Sequence, residues 1–232
     1  MNTDNTTTQK ASRLIGKVLS PAVRLWLKSQ VQQISQLEVH IAGSDRQILT
    51  GNIPRVSILA SKAVYQGLHL TQIQLEAKEI HVNLGQVIKG KPLRLLDKVP
   101  VTGNLYLTQA DLNESLASPL LTDALHDLLL KLFPDILGNK QVGWQKVTID
   151  SNLLSLEGNL SGDRPKTVIF QAGLQLASDR ELQILQPQIK TQTGKLASID
   201  SFTVDLGAEV DIEKLSLDPG QIICAGRINV LP

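Results

Sequence analysis

Between residues 86 and 100, Lys89, Lys91, Arg94 and Lys98 are interleaved with Val87, Ile88, Leu93, Leu95 and Leu96, and Asp97 is the only acid. Cations spaced among aliphatic side chains can hold phosphate while the aliphatic chains enter an acyl layer. The segment therefore has the chemistry of a loop that docks on anionic lipid or reads a headgroup. A connecting loop whose leucines fold back into the core would carry the same residues. A second basic set lies near the start of the chain, where the pattern over 10–34 is helical. At about 100° per residue, Lys10, Arg13, Lys17, Arg24 and Lys28 fall within roughly 60° of arc. No acid occurs in that span, and Leu14, Ile15, Val18, Leu19, Ala22, Val23, Leu25, Trp26 and Leu27 fill much of the remaining surface. Such a helix is either a core helix with a solvated basic face or a basic amphipathic helix resting on anionic lipid.

Catalytic arrangements are harder to find. Gly85-Gln86-Val87-Ile88-Lys89-Gly90-Lys91 has the spacing of a phosphate-binding loop, but Pro92 stands where Ser or Thr must supply the metal-ligating hydroxyl. There is no Gly-x-Ser-x-Gly nucleophile elbow and no Gly-x-Gly-x-x-Gly fingerprint. The four histidines, His40, His69, His81 and His126, form neither a His-x-His nor a His-x-x-x-His pair, and none neighbours a carboxylate as a nucleophile and base would. The expectation is a protein that is not an enzyme and carries no metal or other cofactor. Cys224, the single cysteine, sits in the alternating run Ile222, Cys224, Gly226, Ile228 and reads as a small apolar residue.

The elements that would position these groups are mostly strands. Val56, Ile58 and Ala60 alternate with Ser57 and Leu59; Leu68 and Leu70 flank His69; Ile73 and Leu75 flank Gln74; Ile80, Val82 and Leu84 flank His81 and Asn83. These are period-two runs whose parity slips between Leu70 and Ile73 and again before Ile80. A slip would turn the core face to solvent unless a bulge or turn absorbs it. A second strand-rich region runs from Trp144 to Val230, separated by turn signals such as Asp218-Pro219-Gly220. Between the two, Thr108 and Asp111 begin a helical stretch, Pro119 interrupts it, and Leu121, Ala124, Leu125, Leu128 and Leu132 fall within about 100° of arc. The predicted class is α+β: a strongly curved antiparallel sheet wrapped around two long amphipathic helices. Residues 1–9 are expected to be a disordered tail and 10–232 one domain. A pseudo-repeat of 10–107 and 109–230 is suggested by Gly51-Asn52-Ile53 against Gly158-Asn159-Leu160 and by Gly67-Leu68-His69-Leu70 against Gly173-Leu174-Gln175-Leu176.

The chain has 232 residues and a net charge of +1, so nothing global steers it to an acidic partner and any basic site must be local. Its composition is 42% hydrophobic but only 3% aromatic, which argues against the stacking platforms that bind single-stranded nucleic acid. No signal peptide or membrane-spanning helix is read, so the expected location is cytoplasmic, peripheral on a membrane if the basic groups dock there.

The strings Gly51-Asn52-Ile53-Pro54-Arg55-Val56-Ser57, Ala63-Val64-Tyr65-Gln66-Gly67-Leu68-His69-Leu70 and Asn83-Leu84-Gly85-Gln86-Val87-Ile88-Lys89-Gly90-Lys91-Pro92-Leu93-Arg94-Leu95-Leu96 resemble the cyanobacterial branch of the LmeA-like phospholipid-binding family. The resemblance implies a fold similar to the tubular lipid-binding superfamily, with an apolar groove or tunnel between curved sheet and helices. It also implies a non-catalytic phospholipid-binding or lipid-transfer protein acting at a membrane surface. A structural module that binds a protein partner, with no lipid, is the alternative. On the lipid reading the expected lining is Val18, Ala22, Leu25, Trp26, Val56, Ile58, Ile73, Leu75, Ile80, Val82, Leu116, Leu121, Leu125 and Leu128. Headgroups or an anionic membrane surface would be met by Arg13, Lys17, Arg24, Lys28, Lys89, Lys91 and Arg94. The expected partner is a phospholipid or other diacyl lipid.

Overall fold

A computed structural model describes residues 18–162, 166–191, 194 and 196–232. The tail and the basic residues Lys10, Arg13 and Lys17 lie outside the described residues.

Alternating apolar and polar residues form two antiparallel sheets. The first contains β1 (Gln33–Ala42), β2 (Asn52–Tyr65), β3 (Leu68–His81), β4 (Val99–Thr108), β11 (Val210–Asp218) and β12 (Gln221–Val230), in the order β1-β2-β3-β4-β12-β11. The second contains β5 (Val142–Asp150), β6 (Leu153–Leu160), β7 (Lys166–Ser178), β8 (Glu181–Thr191) and β10 (Ser201–Asp205), in the order β10-β8-β7-β6-β5. The short β9 (Leu196–Ser198) also pairs with β8. Both strands of the suggested second repeat that come last, β11 and β12, belong to the first sheet.

The parity slips read from the sequence have a concrete form. In the β2–β3 ladder, Lys62 with Thr71 and Pro54 with Glu79 drop out of the pairing, while the flanking partners Ser61–Gln72, Ala63–Leu70, Ile53–Ile80 and Arg55–Lys78 keep one register. Lys62 (φ +49°) and Glu79 (φ +52°) take the left-handed conformation. Both strands lose one position together, so the apolar side chains stay on one face and no register shift follows. A left-handed conformation costs a non-glycine residue on the order of 1 kcal/mol, and here it preserves that face.

Among the described residues the two long helices expected from the sequence are not present, and the sheets are not strongly curled. The described residues contain six helices: α1 (Ser20–Gln30), α2 (Asp45–Leu49), α3 (Leu84–Val87), α4 (Gln109–Ser115), α5 (Pro119–Leu132) and α6 (Pro134–Leu137). Strand occupies 56% against 22% helix, so the architecture is a mainly sheet one. The reasons are local. Helical pattern over 10–34 gives way because Ile34, Leu37, Val39 and Ile41 favour a strand, and β1 starts at Gln33. The leucine-rich stretch is divided by two prolines, each of which removes a helical N–H and starts a new helix at its own position. Ser118 accepts from the Leu121 amide to cap α5, and Pro134 opens α6. Thr108 caps α4 by accepting from the Asp111 amide.

Two buried clusters result. One joins α1, α2 and α3 to the apolar face of the first sheet through Leu19, Val23, Ile41, Ile48, Ile53, Val56, Ile80 and Val82. The other packs α4, α5 and α6 on the second sheet through Leu112, Leu129, Phe133, Val168, Phe170 and Ile189, and takes Leu217 from β11. The short α4 links the sheets. Its Ser115 hydroxyl accepts from the His69 amide of β3 at 2.8 Å, and Asp111 bonds Thr71. On its other side Asn113 accepts from the Val147 amide (2.9 Å) and donates to the Val147 carbonyl (3.0 Å), pairing with the open edge of β5 as a strand would.

Candidate functional site

Residues directly opposite one another in an antiparallel ladder point to the same face. Register therefore places Leu37, Ala60, Ile73, Leu105 and Cys224 in one apolar row of the first sheet. Val39, Ile58, Leu75, Gly103 and Gly226 form the next, and Ile41, Val56, Ala77, Val101 and Ile228 a third. The rows between them, such as His40, Ser57, Glu76, Thr102 and Arg227, carry the polar and charged groups on the opposite face. Gly226 is needed where β11 comes close: a Cβ there would lie 2.3 Å from the Asp211 carbonyl oxygen.

α1 does not seal the apolar face. Between its Val23, Trp26 and Leu27 and the sheet lies a cavity of about 610 Å³. Ile53, Val56 and Ile58 of β2, Leu70, Ile73, Leu75 and Ile80 of β3, Val99, Val101 and Leu105 of β4, and Cys224, Ile228 and Val230 of β12 line it, with Val82, Leu93 and Leu95 at one end. Asp211 and Arg227 also border it, but they stand opposite each other in the β11–β12 ladder, in the polar row. The Asp211 carboxylate is held by Arg180, whose Nε donates to it at 2.8 Å; that hydrogen bond and charge raise the Arg180 pKa above its ordinary value. Burial raises the pKa of the Cys224 thiol, so its neutral form is favoured among the hydrocarbon side chains.

Of the lining expected from the sequence, Trp26, Val56, Ile58, Ile73, Leu75, Ile80 and Val82 surround this cavity. Val18, Ala22 and Leu25 are not among its walls, and Leu25 is 71% exposed. Leu116 is buried in the second cluster, with Leu121, Leu125 and Leu128 packed against it. Sequence reasoning missed the contributions of β4 and β12. The signal was available in Val99, Val101, Gly103, Leu105 and Leu107, an unbroken period-two run that continues past the basic segment.

That basic segment borders the cavity. Val82 bridges to Leu95, and Leu93 is buried, so both leucines face inward. Lys89, Lys91 and Arg94 are exposed beside them. Ile88 (55%) and Leu96 (56%) are exposed too, as is Leu49 (61%) on α2. On α1, Arg24 and Lys28 are exposed. Asn83 closes the loop by donating to the Pro92 carbonyl (3.0 Å) and accepting from the Arg94 amide (2.7 Å). Each such bond is worth about 1 kcal/mol net, so Asn83→Ala should speed hydrogen exchange at the Arg94 amide roughly tenfold or more while leaving the core amides of β7 protected. Unchanged exchange at Arg94 would show that Asn83 does not hold the loop.

Two of the four histidines have carboxylate partners that the sequence did not indicate. His81 Nδ1 lies 2.6 Å from Asp97 and His69 Nδ1 lies 3.0 Å from Glu114, both near the surface. The first ties the basic loop to β3, and the second adds to the seat of α4. Among the described residues no group of three or more His, Cys, Asp or Glu is placed to hold a metal ion, and no helix is long and apolar enough to cross a membrane.

Comparison with known proteins gives a match to the family described as LmeA-like phospholipid-binding, over residues 10–227. No curated protein and no solved structure matches the chain.

Proposed function

The chain belongs to the LmeA-like phospholipid-binding family, and from that premise we propose that it is a non-catalytic carrier that shelters lipid hydrocarbon in the first-sheet cavity and works at an anionic membrane surface. The observation that carries this reading is the separation of chemistry across the first sheet: a hydrocarbon-lined space on one face, with the charged rows on the other. Each buried methylene contributes about 0.8 kcal/mol, so an acyl chain gains on the order of 10 kcal/mol before ordering costs. Linings of Leu, Ile and Val ask little of the chain's shape. Headgroup selection then falls to the exposed cations Lys89, Lys91 and Arg94 beside the cavity.

Organic extraction of protein purified without detergent, followed by mass spectrometry, should yield phospholipid in reproducible, substantial occupancy. Ile73→Trp or Leu75→Trp should lower that occupancy severalfold with the fold retained, because the indole fills space that the lipid needs. A parent protein that is lipid-free after mild purification and takes up no fluorescent phospholipid from vesicles overturns the reading.

A further inference from the structure

Resting on the phospholipid-binding reading, we infer that lipid enters and leaves the cavity at one end only, over an apolar sill on β12 that sits in the acyl layer of an anionic bilayer while the protein is docked. Burial along one row of the sheet locates the opening. Ile41, Val56 and Val101 are buried and Ala77 is half-buried, whereas Ile228, the next residue of that row on β12, is 44% exposed although it lines the cavity. Leu231, also on the wall, is 60% exposed. Where hydrocarbon both lines a ligand space and meets the outside, an acyl chain can pass inward without crossing polar groups.

The sill stands beside the basic loop. Val210 faces Ile228 across the β11–β12 ladder. Glu209, just before it, accepts from the Asn229 amide on its carbonyl (2.9 Å) and holds the Lys98 ammonium on its carboxylate (2.7 Å). Lys98 ends the segment whose Leu93 and Leu95 wall this end of the cavity and whose Lys89, Lys91 and Arg94 are exposed. The carboxylates on either side of Val210 each have a cation close by, Lys98 for Glu209 and Arg180 for Asp211, which lessens their repulsion from an anionic surface.

The opposite end is turned toward the rest of the molecule. Tyr65 and Gln30 border the cavity there, but the adjoining β2–β3 turn is packed in. The Gly67 amide donates to Gln32 Oε1 at 2.7 Å, and a Cβ on Gly67 would lie 2.8 Å from the Cβ of Ser118, which caps α5. The His69 amide is held by Ser115 of α4. One end of the cavity thus abuts helices of the second cluster, and the other carries the exposed cations that complement an anionic bilayer.

Uptake of pyrene-labelled phosphatidylglycerol from vesicles of phosphatidylcholine and phosphatidylglycerol tests the inference. Ile228→Gln alters the sill and Tyr65→Gln the other end, each verified as folded by its thermal melt. Ile228→Gln should slow the initial rate about tenfold or more, because an amide drawn into hydrocarbon without a hydrogen bond is strongly disfavoured, while the final amount taken up stays at the parent's. Ile228→Leu should match the parent's rate, and Tyr65→Gln should leave it unchanged. Slowing by Tyr65→Gln, alone or together with Ile228→Gln, would mean that lipid passes the turn end; this overturns the inference and leaves phospholipid binding intact. An unchanged rate for Ile228→Gln, whatever the final amount, overturns it too. A parent that takes up no lipid overturns both readings.

Discussion

Replacing Lys89, Lys91 and Arg94 together with Glu should weaken binding to anionic vesicles by about 100-fold or more, measured by co-sedimentation. Each cation near such a surface is worth about 1 kcal/mol, so removing three costs ~3 kcal/mol before the new carboxylates add repulsion. Binding of the parent should fall with added salt, because the Debye length is only ~10 Å at 0.1 M, and neutral vesicles should bind less well than anionic ones. The thermal midpoint should hardly move, since all three side chains are exposed and isolated surface charges contribute little to stability. A variant that binds anionic vesicles as tightly as the parent removes the loop as the docking element and turns attention to Arg24 and Lys28 on α1.

Phe170→Ala should cost about 3–5 kcal/mol of unfolding free energy, read from chemical denaturation. Phe170 is 2% exposed, and its ring meets Phe133 edge to face at 6.5 Å between centroids. Ile73→Ala, on the wall of the cavity, should cost less than about 2 kcal/mol, below the usual ~2–5 for such a truncation, because one side of Ile73 already faces unfilled space. Equal losses at the two sites would mean that the cavity wall is packed as tightly as the second core. The contrast separates a sheet that is closed on itself from one that is left open for a guest.

Part of this arrangement was legible in the residues. Val56 and Ile58, Ile73 and Leu75, and Ile80 and Val82 declared their common face through period two, and the slips between those pairs correctly called for something to absorb them. That something was Lys62 and Glu79 in the left-handed conformation, which no propensity would nominate. The cap at Thr108 could also be read, because a hydroxyl before a free amide is a local signal. Other features depend on tertiary context. Leu121, Leu125 and Leu128 make an apolar helical stripe, but a stripe does not say which sheet it will cover, and they went to the closed one. The helix assumed to run through Ile34 ended at Gln30 because the next residues complete an edge strand on β2. Which leucines of the basic loop face inward was likewise invisible, since the bridge from Val82 to Leu95 decides it.

The order of strands in the first sheet also sets an order in time. β12 pairs with β4, and Gln221 faces Thr108, so about 110 residues must be made between the two halves of one ladder. At a synthesis rate of ~5–20 residues per second, the edge of β4 waits on the order of 5–20 s for its neighbour. The second sheet lies wholly in the intervening stretch and can close its own core meanwhile. Val99, Val101 and Leu105, already made, have no partner across the ladder during that interval. The apolar floor of the cavity is thus the last part of the molecule to be completed as the chain emerges, and a nascent chain stalled before Val210 presents an unpaired apolar edge to whatever else is in the compartment.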